Sequence, residues 1–200
     1  MYKVIGNVKS RTFRVLWALE ELEQPYTHVP APPRSEDVIA INPAGKVPVL
    51  IVDGTAITDS TAILTFLADR HGKLTFPAGT IDRARQDSLT HFLLDEFDAL
   101  LWTAARHSFI LPEKLRCPDV KDSLKWEFAG SQKTLVGRMG DGPFLMGERM
   151  TVPDIVLTHC LNWAQAAKFP LEQPRLKDYA ARLSARPAFR RAGQEQVAGQ

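Results

Sequence analysis

The chain has only two cysteines in 200 residues, Cys117 and Cys160, far apart and in no CxxC or other metal-ligand spacing. That excludes a disulfide framework, leaves both to be read as reduced thiols in helical segments, and gives no reason to expect a metal. No apolar run approaches the roughly 18 residues a membrane-crossing helix needs, so no membrane partner is expected. The opening Met-Tyr-Lys-Val-Ile-Gly lacks the charged stretch and apolar core of a secretion signal, which makes the cytoplasm the expected location. Neither sign of charge dominates: 25 basic against 23 acidic residues leave +2, and nucleic acid is not an expected partner. The local excess is C-terminal, where Arg175, Lys177, Arg182, Arg186, Arg190 and Arg191 face only Asp178 and Glu195. Its simplest reading is a solvated helix face that complements the helix dipole.

What is present is ordinary globular composition, 44% hydrophobic and 24% charged, in a chain long enough for one to two domains. The first third alternates β-rich and helical stretches. Residues 2–5 read as a strand, 11–23 as a helix with Phe13, Leu16, Trp17, Leu19 and Leu22 on one face, and 26–29 as a second strand. After Pro30-Ala-Pro-Pro33 come a short helix over 35–41 and a buried strand over 47–52. Asp53-Gly54 is a strong hairpin signal leading into a mate at 56–58. Asp59 or Ser60 then caps a helix with Ile63, Phe66 and Leu67 at i, i+3 and i+4.

From residue 81 onward the pattern is helical. Leu89, Phe92, Leu93, Phe97, Leu100 and Leu101 mark a long amphipathic helix, followed by helices over 120–139 and 153–167 and two short ones near Leu176 and Phe189. The expected organisation is an α/β domain over residues 1–75 (βαβ then ββα, a mixed four-stranded sheet), a linker over 76–83 carrying Phe76-Pro-Ala-Gly79, and an all-α bundle over 84–200.

Three motifs fall in order along this frame. They are Asn42-Pro-Ala-Gly-Lys-Val-Pro-Val-Leu50, Thr58-Asp-Ser-Thr-Ala-Ile63 and Gly142-Pro-Phe-Leu-Met-Gly-Glu-Arg-Met-Thr-Val-Pro-Asp-Ile155. In the third, Thr151 is an N-cap and Asp154 the N3 residue of a structural capping box, with Pro153 at N2, where its missing N–H costs little. With this architecture, the motifs resemble those of the glutathione S-transferases of the bacterial, cytosolic type. The resemblance implies a thioredoxin-like first domain and a cis Val47-Pro48 peptide. It also implies glutathione as co-substrate, with the Val47 backbone against the cysteinyl unit. By the same resemblance, Ser60 and the helix start take the γ-glutamyl carboxylate and Asp59 the ammonium group; Lys46, next to Val47, is placed either to pair with the glycyl carboxylate or to stand as a solvated loop lysine. A helix N-terminus suits an anion on physical grounds as well.

Such an enzyme must hold the glutathione sulfur as thiolate, which needs an oriented donor, a nearby cation or a helix start. The segment Gly6-Asn-Val-Lys-Ser-Arg-Thr-Phe-Arg14 occupies the place between first strand and first helix. Here the chain departs from the family: no tyrosine or cysteine stands at the usual position, the register falls on Lys9, and Tyr2 lies within the strand. Ser10, through its hydroxyl, is the first candidate for the catalytic donor. Arg11, through its backbone N–H and guanidinium, is the second, and Thr12 is a third. Trp102, Arg106 and His107, with Phe109, are the candidates for an electrophile pocket, against the plainer reading of Trp102 and Phe109 as ordinary packing residues and of His107 as structural.

The expected function is a glutathione transferase attacking a small hydrophobic electrophile or a peroxide. Glutathione-dependent disulfide reduction with two glutathiones is one alternative. A noncatalytic binding or assembly module on the same fold is another, slightly favoured by the basic C-terminus. Family resemblance also implies a homodimer.

Overall fold

The computed structural model describes residues 1–194, arranged as two compact units. Residues Met1–Ala78 and the segment from Ser184 onward make the first, and Gly79–Leu183 the second.

In the first unit, strands β1 (Tyr2–Ile5), β2 (Tyr26–Val29), β3 (Val49–Val52) and β4 (Thr55–Thr58) form one sheet in the order β2-β1-β3-β4. β1 pairs parallel with β2 and antiparallel with β3, which pairs antiparallel with β4. The β3–β4 reversal falls on Asp53 and Gly54, both at positive φ, as a two-residue hairpin requires. Helices α1 (Thr12–Glu21), α2 (Glu36–Ile41) and α3 (Ser60–His71) complete the βαβ-ββα order. Val4, Val15, Leu16, Leu19, Leu50, Ile63 and Leu67 are fully buried among them. Each such aliphatic side chain contributes about 1.5 to 3 kcal/mol of hydrophobic stabilisation.

The last helix, α9 (Pro187–Gln194), corrects the expected division, which grouped all of 84–200 together. Phe189 packs edge-to-face on Phe13 and Trp17 at 4.7 and 4.9 Å between ring centroids, so α9 lies on α1. The basic residues of this segment are not simply a solvated face. Arg186 makes a two-pronged ion pair with Glu21, both contacts at 2.7 Å, and Arg191 bonds Glu20 at 2.6 Å. Glu21 also accepts from Trp17 Nε1, and Glu20 from the Tyr26 hydroxyl. Glu195 lies outside the described residues.

In the second unit the expected single long helix is a continuous helical path interrupted once by a π turn and ended by another. α4 (Ile81–Leu93) passes through a π-helical turn (Leu94–Asp98) into α5 (Ala99–Ala105) and a second π turn (Arg106–Ile110). α6 (Val120–Arg138), α7 (Val152–Ala166) and α8 (Pro174–Ser184) follow. A file of rings, Phe92, Phe97, Phe128 and Phe169, runs edge-to-face through this core. At the head of α7, Asp154 Oδ2 accepts from the Thr151 N–H at 2.6 Å and the Thr151 hydroxyl at 2.9 Å, which realises the expected capping box. Its Oδ1 accepts from the Leu145 N–H at 2.8 Å and from the Tyr179 hydroxyl, tying α7 to the preceding loop and to α8.

Candidate active site

Strand register brings the candidate residues of the first unit together. Ile5, the last residue of β1, stands opposite Val49, the first of β3, and Val49 stands opposite Thr58, the last of β4. The segment after Ile5, the segment before Val49 and the segment after Thr58 therefore all leave the sheet at one end. These are the β1–α1 turn with Ser10 and Arg11, the loop with Lys46, Val47 and Pro48, and the α3 start with Asp59 and Ser60. Tyr2 lies at the other end of β1, where its hydroxyl meets His71 Nε2 at 2.8 Å.

The β1–α1 turn is held by hydroxyls. Ser10 Oγ donates to the Asn7 carbonyl at 2.7 Å and accepts from the Thr12 N–H at 3.2 Å. With its one proton on Asn7, Ser10 accepts in its 2.9 Å contact with Thr12 Oγ1, so Thr12 is the donor there. Thr12 is fully buried, Ser10 half-buried and Lys9 exposed. Gly6 lies where the turn presses on the next loop. A methyl group on it would stand 2.2 Å from Thr12 Oγ1 and 2.8 Å from Val47 Cβ.

The Val47-Pro48 peptide is cis, as the resemblance implied. Val47 is half-buried, Pro48 buried and Lys46 exposed. The loop ahead of them is organised by Asn42, a residue not singled out from sequence. Its Nδ2 donates to the Lys46 carbonyl at 2.9 Å, and its own carbonyl accepts from the Gly45 N–H at 2.7 Å.

At α3 the choice of cap is resolved in favour of Asp59. Its Oδ1 accepts from the N–H groups of Thr61 and Ala62 at 2.9 and 3.0 Å. These two donors, expected to face an anion, are engaged by the cap instead. Asp59 has φ 69°, a strained conformation for a non-glycine residue, and such strain concentrates at functional positions. Ser60 is buried, and its Oγ accepts from Arg14 Nη1 at 3.4 Å, which turns its own proton elsewhere. Arg14 is a second group the sequence reading passed over. It is fully buried in a run of apolar α1 residues, a rare setting for a guanidinium and the only signal that could have flagged it.

In the second unit, Trp102 lies half-buried on α5, while Arg106 and His107 begin the second π turn. His107 Nδ1 accepts from the Cys117 N–H at 3.0 Å. Its imidazole thus anchors the segment ahead of α6, a structural task for a residue also proposed to line a pocket. Phe109 is two-thirds exposed. Among the described residues no group of three or more histidine, cysteine, aspartate or glutamate side chains could hold a metal ion, and no helix is long and apolar enough to cross a membrane.

Comparison with known proteins agrees with this architecture. The family model of the glutathione S-transferase N-terminal domain matches residues 11–75, and that of the C-terminal domain residues 99–187. The chain belongs to the glutathione S-transferase family. Glutathione S-transferase GstA of Escherichia coli O157:H7 is 29% identical over 156 residues, covering 76% of this chain and 74% of that protein. The crystal structure of a glutathione transferase from Methylococcus capsulatus str. Bath superposes with a TM-score of 0.84 at 25% identity, over 98% of each chain. A sphingomonad glutathione S-transferase complexed with glutathione gives a TM-score of 0.83 at 25% identity, over 98% of this chain and 99% of that one.

Proposed function

We propose that the protein is a glutathione transferase that binds glutathione at the end of the sheet where β1, β3 and β4 converge and holds its sulfur as thiolate for attack on a small hydrophobic electrophile or a peroxide. In this reading the Val47 backbone, ahead of Pro48, pairs with the cysteinyl unit, Lys46 with the glycyl carboxylate, and Asp59 with the ammonium group. Ser60, whose hydroxyl proton is turned away from Arg14, receives the γ-glutamyl carboxylate. Ser10 donates its hydroxyl to the thiolate by exchanging the Asn7 carbonyl for a stronger, anionic acceptor. Arg11 supports it with its backbone N–H and positive charge. The observation that supports the reading is the register Ile5–Val49–Thr58, by which the segments carrying the proposed glutathione contacts leave the sheet at one end.

The test is a titration of protein with glutathione, followed as thiolate absorbance at about 240 nm against pH. The bound thiol should ionise about one to two units below the free thiol. Ser10→Ala should return most of that shift and lower kcat by about a hundredfold, the usual cost of one oriented donor to an anion. A shift that survives in Ser10→Ala moves the role to Arg11 and the α1 start. No binding at millimolar glutathione leaves the noncatalytic alternative.

Asp59 separates capping from ligand charge. Asp59→Asn keeps an oxygen for the Thr61 and Ala62 N–H groups, so stability should change by only a few tenths of a kcal/mol. The lost charge-assisted bond to the ammonium group should raise the KM for glutathione by about ten- to a hundredfold. Equal KM values in the two proteins would remove Asp59 from the binding site.

A further inference from the structure

His28 lies on β2, outside every motif that points to glutathione. Its Nε2 stands 2.8 Å from the carbonyl oxygen of Gly6. A carbonyl only accepts, so Nε2 carries the proton in this contact. Gly6 is the first residue past β1, and its own N–H donates to the Val29 carbonyl at 3.1 Å. Two successive residues of β2 therefore hold both backbone polar groups of Gly6, Val29 through its main chain and His28 through its ring. The hold matters because β2 is a four-residue edge strand that pairs only with β1, so its ladder is short just where the β1–α1 turn begins. Gly6 is also the point on which Thr12 and Val47 close, since a methyl group added to it would stand 2.2 Å from Thr12 Oγ1 and 2.8 Å from Val47 Cβ. A shift of its peptide moves the turn that carries Ser10 relative to the loop that carries Val47.

We propose that His28 is a positioning residue for the thiol site. Through the Gly6 carbonyl it sets where the turn of residues 7–10 presents its donors against Val47. The proposal rests on the glutathione-thiolate reading above, and it assigns His28 no contact with substrate.

Three variants of the full chain test it: His28→Phe, which fills the space without a donor; His28→Gln, whose amide can reach the Gly6 carbonyl; and His28→Asn, one methylene shorter. The readouts are the bound-thiol pKa by 240 nm titration, and kcat and the glutathione KM with an activated aryl halide as electrophile. Misplacement by about 1 Å can cost up to about a hundredfold in rate, so His28→Phe and His28→Asn should lower kcat about tenfold and raise the bound-thiol pKa by about half a unit to one unit. KM should move less than about threefold, since the α3 start lies outside the Gly6 contact. His28→Gln should recover most of both losses. If His28→Phe fails to fold, the Gln and Asn pair gives the same decision. Unchanged thiol pKa and kcat in His28→Asn, or a His28→Gln variant no better than His28→Asn, overturns the positioning role while a depressed pKa in the unsubstituted protein leaves the glutathione reading standing. No thiolate signal in the unsubstituted protein overturns both.

Discussion

Asp154→Ala is expected to lower the unfolding free energy of the second unit by about 3 to 5 kcal/mol at neutral pH, measured by urea denaturation. The magnitude follows from what the carboxylate holds. The backbone N–H groups of Leu145 and Thr151 and the hydroxyls of Thr151 and Tyr179 all donate to it, and Asp154 is fully buried. Alanine strands two buried backbone donors, each costing about 1 to 3 kcal/mol when left without an acceptor. The same burial pushes the Asp154 carboxyl above its ordinary value of 3.8, against the pull of the bonds from Leu145, Tyr179 and Thr151. Burial also lifts the Tyr179 phenol well above 10, followed by the adjacent Asp154 charge, so Tyr179 remains a donor at neutral pH. Between 3.8 and the raised native value the folded protein binds a proton that the unfolded chain has released, so stability falls as pH rises through that window and levels off above it. Asp154→Asn keeps one acceptor oxygen and cannot ionise. It should lose about 2 kcal/mol at neutral pH and show a flatter slope across the window. A variant as stable as the parent, with the slope intact, would show that the capping box is not what holds α7 to α8.

Much of this architecture is legible in the sequence because its determinants are local. Asp53-Gly54 dictates a positive-φ hairpin from its own chemistry, and the spacing of Leu16, Leu19, Ile63 and Leu67 marks buried helix faces from neighbours three and four residues apart. Thr151 and Asp154 are read directly because a capping box closes within four residues. The features that escaped depend on distant partners. The sequence near Phe189 announces an amphipathic helix but not which surface it covers. That choice is made by Glu20 and Glu21, 171 and 165 residues away from their arginines. The π turns escaped for another reason: single-turn π segments are rare and too short to show in the spacing of a few apolar residues. At the site, the motifs located the Val47-Pro48 loop and the α3 start. They could not reveal that Ser10 already serves Asn7, that Asp59 consumes two of the donors at the helix start, or that Arg14 and His28 reach across from other elements. Each of these is a contact between a polar side chain and backbone or side-chain atoms whose position only the folded sheet defines.

Gly6→Ala should have the largest effect of any alanine placed at a glycine of the first unit. The residue has φ 138°, a region that L side chains rarely adopt, and the new methyl would meet Thr12 Oγ1 at 2.2 Å and Val47 Cβ at 2.8 Å. Neither neighbour gives easily. Thr12 is fully buried with its hydroxyl bonded to Ser10, and Val47 precedes the buried Pro48 at the head of β3. Backbone incompatibility and overpacking each cost about 1 to 3 kcal/mol, so a loss of about 3 kcal/mol or more in stability is expected. Because the strain falls on the β1–α1 turn itself, the surviving folded protein should also bind glutathione much more weakly. A double-mutant cycle identifies the cause. Thr12→Ala alone removes the hydroxyl in the closest approach at a cost of about 1 kcal/mol, and in the Gly6→Ala background it should give stability back, with a coupling of about 1 to 2 kcal/mol. Strict additivity would mean that the left-handed backbone, not the approach of α1, is what demands glycine here. A recovered fold that still fails to bind glutathione would place the requirement at Val47, where the turn closes on the loop that leads into β3.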